Sequence, residues 1–371
     1  MRIGVPKEIK NRETRVALTP EGARRLVEAG HDVLVQSGAG AAAFLTDAAY
    51  ADAGARLGSA EEAWAQDLVL KVKEPVPDEF PLLRDNVLFT FLHLAANEPL
   101  AAALVEARTT ALSYDTVQLA DGSLPLLTPM SVIAGRLATL AGGYHLLSSQ
   151  GGRGVLLSGA PGVAGARVVV IGGGIAGSNA LAQAVGMGAD AVVIDLDESR
   201  LAALAAQHGD RVRTVVSTPD SIEQEVLQAD LVVGAVLVPG RPAPTVVSHD
   251  TVTRMRPGSV LVDVAIDQGG CFEDSRPTTH DDPVYRVGES LLYCVANMPG
   301  AVGATATAAL THATFPYVEA LARGWERALS ADPALSRGLN VDAGTVRYPA
   351  VAQAFPHLPA SRALQDARAV D

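Results

Sequence analysis

Apolar positions in this chain fall into compact runs of strand length, separated by stretches whose apolar residues recur at helical spacing. Residues 2–5, 31–35, 67–72 and 87–91 predict strands, and 100–108 predicts a helix. A further helix is expected to open at Thr19-Pro20, with Thr19 as N-cap, Pro20 where its missing N–H costs nothing, and Gly30 at the exit. This alternation specifies an α/β domain. A long helical pattern over 130–148 then precedes the polar, glycine-rich stretch 148–154, and that helix is expected to bridge to a second domain. There, strands are predicted at 167–171, 191–194, 212–216, 231–235 and 259–264, with helical patterns at 200–208 and 221–227, which together make a doubly wound sheet. From residue 301 the pattern is helical through 306–329, and Pro316 is expected to interrupt or restart it. The terminal helices are expected to pack back onto the first domain. The division expected is 1–129 plus 302–371 for one domain and 130–301 for the other.

Residues 167–200 carry the densest information: an apolar strand, a glycine turn, a helical pattern, a second strand and a terminal acid. Gly172, Gly174 and Gly177 occupy the G-x-G-x-x-G positions, where missing Cβ atoms permit a tight turn, close approach to a pyrophosphate and close helix-on-strand packing. The pyrophosphate is then expected on the helix N-terminus. Asp195 follows Gly172 by about 20 residues, where a carboxylate accepts ribose hydroxyls and repels a 2′-phosphate. The pattern predicts NAD rather than NADP, and an α/β fold of two doubly wound Rossmann-like domains with a cleft between them.

Composition narrows the classes. A net charge of −12 disfavours phosphate-backbone binding, and 4% aromatic residues leave little material for stacking bases, so no nucleic acid partner is expected. The N-terminus lacks the apolar run of a signal peptide, and a cytoplasmic location is expected. The longest apolar region, 154–187, is interrupted by Pro161, Arg167 and several glycines, so no membrane association is expected. Cys271 and Cys294 are too few for a disulfide framework and have no zinc-site spacing; free thiols and no metal are expected.

Substrate chemistry must come from charged residues that interrupt apolar strand ends. Lys71 and Lys73 alternate within Leu70-Lys71-Val72-Lys73-Glu74-Pro75, and Pro75 takes the chain out of the sheet. His93 closes Leu88-Phe89-Thr90-Phe91-Leu92-His93 and is a candidate acid/base at the carboxyl end of a strand, where open α/β sheets bind ligands. Singly, Lys73 reads as a solvated lysine and His93 as a satisfied core histidine; their joint placement favours a site. Asp263 and Asp267 follow an apolar strand beside Gly269 and Gly270, with Asp263 the more structural of the two. Arg15 or Arg12 turns inward to hold a carboxylate with its bidentate fork; spacing does not choose between them.

At these residues the sequence resembles the bacterial L-alanine dehydrogenases, a family that includes the transhydrogenase α-subunit, over roughly residues 1–330. The resemblance is carried by Gly4-Val5-Pro6-Lys7-Glu8, Glu13-Thr14-Arg15-Val16-Ala17, Lys71-Val72-Lys73-Glu74-Pro75, Phe91-Leu92-His93-Leu94-Ala95, Gln150-Gly151-Gly152-Arg153-Gly154, residues 263–270 and Asn297-Met298-Pro299. It implies NAD-dependent, reversible deamination of L-alanine to pyruvate and ammonia. Arg15 and Lys73 would hold the carboxylate, His93 would exchange a proton with the carbonyl or carbinolamine oxygen, and Asp267 would handle water and ammonia. To the glycines and Asp195 it adds Ser131, Ile175, Arg200, Ser217, Val236, Leu237, Val264, Ala265, Ile266, Asp267, Arg276, Val295, Ala296, Asn297 and Met298 as cofactor contacts, and it implies a homohexamer. Two departures stand out. Where the family reads Pro-basic-Thr-Ser-Thr, this chain has Gly303-Ala304-Thr305-Ala306-Thr307, which predicts a flexible neutral turn and looser closure. The segment 319–325 lacks the Glu and His pairing that binds magnesium in some relatives. The competing readings are the nucleotide-binding subunit of a proton-translocating transhydrogenase and a catalytically silent NAD-responsive protein.

Overall fold

The computed structural model describes residues 1–236 and 243–364. The chain divides into two units, Met1–Met130 with Gly300–Asp371, and Ser131–Pro299. Strands β1 (Arg2–Val5), β2 (Asp32–Gln36), β3 (Arg56–Gly58), β4 (Leu68–Leu70), β5 (Val87–Thr90) and β6 (Thr110–Ser113) open the first unit. The second holds β7 (Arg167–Ile171), β8 (Asp190–Asp195), β9 (Val212–Val216), β10 (Leu231–Gly234), β11 (Val260–Asp263), β12 (Val284–Val287) and β13 (Ser290–Tyr293). After it the chain adds β14 (Leu339–Asp342) and β15 (Thr345–Val346) to the first sheet.

The first sheet runs β15-β14-β6-β5-β4-β1-β2-β3 and the second β12-β13-β11-β10-β7-β8-β9. Both are parallel except at one edge, where β14 and β12 run antiparallel to their neighbours. Each sheet is wound in both directions from its first strand: β1 lies between β4 and β2, and β7 between β10 and β8. At such a reversal the flanking connections leave toward opposite faces and open a crevice at the strands' carboxyl ends. Helical layers on both faces explain why the strands are apolar throughout rather than alternating. In β7, Val168 and Val170 pack into one core, and Val169 and Ile171 into the other. In the first unit, Val69, Leu88, Ala111 and Val341 share one core cluster.

Local chemistry sets several boundaries. Helix Pro20–Glu28 begins as expected, with the Thr19 hydroxyl accepting from the Gly22 N–H, and the chain leaves it through Gly30 at φ 85°. The predicted helix at 130–148 is observed at Thr128–His145, and the unit boundary falls inside it. The strand predicted at 67–72 stops at Leu70, because the N–H groups of Val72 and Lys73 bond to the Glu8 carboxylate instead of a neighbouring strand. The strand at 87–91 likewise stops at Thr90, with the Leu92 N–H held by Ser113 and Asp115.

Two expectations fail. Pro316 neither interrupts nor restarts its helix: Gly303–Ala322 runs through it, and the break comes at Gly324, at φ 134°. Burial of Thr314, Phe315, Val318 and Leu321 on one face outweighs the backbone hydrogen bond that proline forfeits. The segment 303–307 is not a flexible turn but the first turns of that helix. A Cβ on Gly303 would sit 2.3 Å from the Thr14 hydroxyl, and the Thr307 hydroxyl accepts the Val16 N–H at 3.2 Å, so the segment packs directly on the loop that carries Arg15.

Because Pro316 is exposed, Pro316→Ala removes no packing while restoring a helical N–H. A helix-interior gain of about 3 kcal/mol, less about 1 kcal/mol for the freer unfolded chain, leaves an expected stabilisation of about 2 kcal/mol. Thermal denaturation checks it: an unchanged or lowered Tm would show that the ring is accommodated without cost.

Candidate active site

In the first unit the predicted substrate residues follow the carboxyl ends of β1, β4 and β5. Of the two candidate arginines, Arg15 is the buried one, 3% exposed, and Arg12 lies on the surface at φ 53°. The Arg15 fork grips Glu13 through Nε at 2.6 Å and Nη2 at 2.5 Å, and its Nη1 lies 3.0 Å from the Met130 Sδ. Glu13 fixes the guanidinium before any ligand arrives.

Lys73 is 5% exposed and lies 3.8 Å from Glu74, whose other carboxylate oxygen pairs with Lys10. Burial works to raise the Glu74 pKa, but Lys73 and Lys10 outweigh it and hold the group below the ordinary carboxylate range. Lys71, fully buried, is bound by Glu8 at 3.0 Å and Glu79 at 2.8 Å, which consumes its charge. Burial raises the Glu8 pKa and Lys71 only partly offsets this. The alternation that makes the two lysines look equivalent in sequence thus separates them in space: Lys71 is structural, and Lys73 retains only the longer contact.

His93 adopts φ 45°, a left-handed conformation that costs a non-glycine residue on the order of 1 kcal/mol and points to an imposed geometry. The agent is Asp115. Its Oδ1 accepts the N–H of Leu92 at 3.1 Å and of His93 at 3.4 Å together with the Ser113 hydroxyl, and its Oδ2 lies 3.9 Å from the His93 Nδ1. Burial raises the Asp115 pKa, while His93, Ser113 and the two N–H groups overcome it and leave the carboxyl below its ordinary value. His93 also contributes, after the two lysines, to holding the Glu74 pKa down. Glu8, Glu13, Glu74 and Asp115 carry no periodic signal in the sequence; an acid inside or just beyond an apolar run is the only trace they leave.

In the second unit the glycine motif follows β7. Gly172 sits at φ 95°, and a Cβ on Gly177 would lie 1.7 Å from the Gly172 carbonyl oxygen, so helix and turn approach to backbone contact. Gly174 caps helix Ile175–Gly186 without a side chain, leaving the first-turn N–H groups for an anion, with Ile175 exposed beside them. Asp195 ends β8, only 8% exposed, and accepts the Gly173 N–H at 2.6 Å, the Asp197 N–H at 2.8 Å and the Arg200 guanidinium at 3.1 Å. Its carbonyl accepts the Ser217 N–H at 2.9 Å. Uncapped helix, glycine turn and acid fit the diphosphate and ribose of a dinucleotide. The resemblance makes Arg200 a cofactor contact; its charge is committed to Asp195 and, at 3.7 Å, to Asp197.

Val236 follows β10, half-buried, and Leu237 lies outside the described residues. Asp263, fully buried, accepts the N–H groups of Ala265 at 2.9 Å and Cys271 at 2.8 Å and the Ser275 hydroxyl, and burial raises its pKa. That tether holds Val264, Ala265 and Ile266 in place and leaves Asp267 exposed in the next turn. Arg276 stacks on Tyr285 at 4.0 Å. Val295 and Met298 are buried, Ala296 is half-buried, and Asn297, at φ 71°, accepts from the His280 ring on its carbonyl at 3.1 Å. Ser131, half-buried, lies in helix Thr128–His145. Cys271 and Cys294 are free thiols, both buried.

A dinucleotide cradle on one doubly wound unit, and a histidine with buried cations at the strand ends of another, define a nicotinamide-dependent oxidoreductase. The family is established by direct comparison. Profiles described as "Alanine dehydrogenase/PNT, N-terminal domain" and "Alanine dehydrogenase/PNT, C-terminal domain" match residues 4–134 and 138–349, and the chain belongs to the alanine dehydrogenase/PNT family. It is 52% identical to the alanine dehydrogenase of Mycolicibacterium smegmatis over 95% of this chain and 96% of the relative. Identity to that of Mycobacterium tuberculosis strain H37Rv is 54%, over 93% and 94%. A solved L-alanine dehydrogenase superposes with a TM-score of 0.93 at 51% identity, covering 96% of this chain and 99% of that one. A transhydrogenase structure from Sinorhizobium meliloti gives 0.79 at 26%, covering 94% and 100%.

Asp115→Asn removes a carboxylate held below its ordinary pKa and is expected to lower Tm at neutral pH, with the difference from the unsubstituted protein shrinking as pH falls through the carboxylate range. Equal Tm values at neutral pH would show that the carboxylate contributes nothing to holding the Leu92 and His93 backbone.

Proposed function

We propose that this enzyme catalyses reversible oxidative deamination of L-alanine to pyruvate and ammonia with NAD as hydride acceptor. The observation that carries the reading is identity near 50% to alanine dehydrogenases over almost the whole chain. Bound nicotinamide supplies the hydride acceptor. Arg15 and Lys73 hold the substrate carboxylate, the first as a charge whose orientation Glu13 sets through Nε and Nη2 and the second as a point charge. His93 moves a proton at the oxygen that becomes the carbonyl, and Asp267, exposed beyond the Asp263 tether, takes protons from water and ammonia. In the reverse direction the same groups deliver those protons.

A carboxylate at the end of β8, Asp195, with Arg200 already paired to it, supports NAD over NADP. The glycines, Asp195 and the strand-end residues Ser217, Val236 and Val264 hold the cofactor. Family resemblance supports a homohexamer in the cytoplasm; among the described residues no helix is long and apolar enough to cross a membrane.

Absorbance of NADH on mixing protein, L-alanine and NAD tests the proposal, with D-alanine, L-serine, L-lysine and NADP as comparisons. Rapid reduction is expected only with L-alanine and NAD. Cofactor binding without amino-acid-dependent reduction would instead favour a transhydrogenase-type subunit or a silent binding protein. His93→Ala is expected to lower kcat about 10²–10⁴-fold with NAD affinity retained; loss of NAD affinity together with turnover would remove the assigned role.

A further inference from the structure

Of Arg15, Lys73, His93 and Asp267, His93 is the one with a left-handed backbone, at φ 45°. A non-glycine residue stays in that region only where its surroundings over-determine it. Asp115 supplies one restraint, on the N-terminal side, by accepting the Leu92 and His93 N–H groups at 3.1 Å and 3.4 Å. On the other side the chain turns at once: the Ala96 N–H bonds to the His93 carbonyl at 3.1 Å, and the turn Leu94–Ala96 leads through Asn97 into helix Glu98–Glu106.

Packing anchors that turn. Leu92 and Leu94 flank His93 and are both buried in one core, which leaves the half-buried imidazole outside it. Val351 and Ala352, from the end of the chain, are buried in the same core, and their helix, Pro349–Ala354, packs on the turn. That helix is itself held from both ends. The Val346 N–H bonds to the Pro359 carbonyl at 2.8 Å and the Ser361 N–H to the Val346 carbonyl at 2.9 Å, so residues 346–361 close into a loop at β15. The His357 Nε2 lies 3.1 Å from a Glu98 carboxylate oxygen, which fastens the loop to the helix that follows the His93 turn. Tyr348, just before the helix, is half-buried against the same core, and Asp115 adds to burial in raising the pKa of its phenol. The segment thus lies within the field of the carboxylate that faces His93.

We infer that Val351 is a positioning residue for proton transfer at His93, holding the left-handed turn in place through the core it shares with Leu92 and Leu94. The inference rests on the role proposed above for His93. Removing the two methyl groups of Val351 leaves a void into which a neighbouring leucine can shift, and the turn is then free to relax toward an ordinary backbone. Proton transfer depends steeply on geometry, and a misplacement on the order of 1 Å lowers a rate by up to about 10²-fold. Arg15 and Lys73 follow β1 and β4, on other segments of the chain, and the glycine motif belongs to the second unit, so binding of substrate and dinucleotide does not depend on this contact.

Steady-state reduction of NAD by L-alanine in the full chain tests this as a double-mutant cycle: the unsubstituted protein, Val351→Ala, His93→Ala and both changes together. Val351→Ala is expected to lower kcat about tenfold, while the KM for L-alanine and the Kd for NADH change by less than about twofold. In the His93→Ala background the same substitution is expected to lower the remaining kcat by less than about twofold, because no imidazole is left to misplace. An unchanged kcat in Val351→Ala would overturn the inference. So would an equal loss with and without His93, which would make Val351 an ordinary core residue. Should circular dichroism show that Val351→Ala does not fold, Ala352→Gly removes a single methyl group from the same core and is read against the same outcomes. Full turnover in His93→Ala, or no reduction of NAD by the unsubstituted protein, would remove the role of His93 itself and the inference with it.

Discussion

Carboxylates that receive backbone N–H groups at strand ends hold the functional parts of this protein in place. Where a parallel strand stops, its next N–H groups lose their ladder partners and must find others, since a buried unpaired N–H is costly. Glu8 answers for Val72 and Lys73, and Asp115 for Leu92 and His93. Because each acid bonds the main chain at Lys73 or His93, besides the side chain of Lys71 or Ser113, it fixes where these two residues leave the sheet regardless of what their own side chains do next. Asp115 then faces the imidazole with its second oxygen, so one residue sets both the backbone and the electrostatics of the candidate proton carrier.

The second unit uses the same device. Asp195 takes the N–H groups of Gly173 and Asp197, and Asp263 those of Ala265 and Cys271. Each is the last residue of its strand, at the carboxyl ends where a doubly wound sheet opens its crevice. Asp195 therefore ties the second strand of the nucleotide unit to the glycine turn after the first, and that turn cannot move without breaking a charge-assisted hydrogen bond. Asp263 secures the backbone before Asp267, leaving that carboxylate exposed on a rigid base.

The range over which each signal acts decides how much of this is legible in the sequence. The strand and helix pattern, the Thr19 cap and the glycine motif are local and can be read directly. So can the greater structural weight of Asp263 over Asp267, because one ends an apolar run and the other lies beyond it. Glu8 and Lys71 are more than sixty residues apart, and nothing in either local pattern announces their pairing. Arg15 and Arg12 are indistinguishable by spacing and separate only once Glu13 is seen to fold under one of them. Pro316 and Gly303 depart from expectation for a related reason: the backbone rules that make proline a breaker and glycine flexible are overruled by packing, on one face of a helix in the first case and against Thr14 in the second.

Holding backbone with buried acids has opposite consequences at different positions, and the pKa directions separate them. Asp115, Asp195 and Glu74 lie below their ordinary values, so each stabilises the folded chain above the unfolded carboxylate pKa, a contribution lost as pH falls through the folded value. Glu8 and Asp263 are raised by burial, so keeping them ionised at neutral pH costs the fold free energy that is recovered on acidification. Both raised acids serve backbone beside candidate chemistry, Glu8 at Lys73 and Asp263 at Asp267. An apolar residue in either place would relieve the burial cost but leave buried N–H groups without acceptors and, at Glu8, take from Lys71 one of its two carboxylates, so an acid stays at these two strand ends despite its raised pKa.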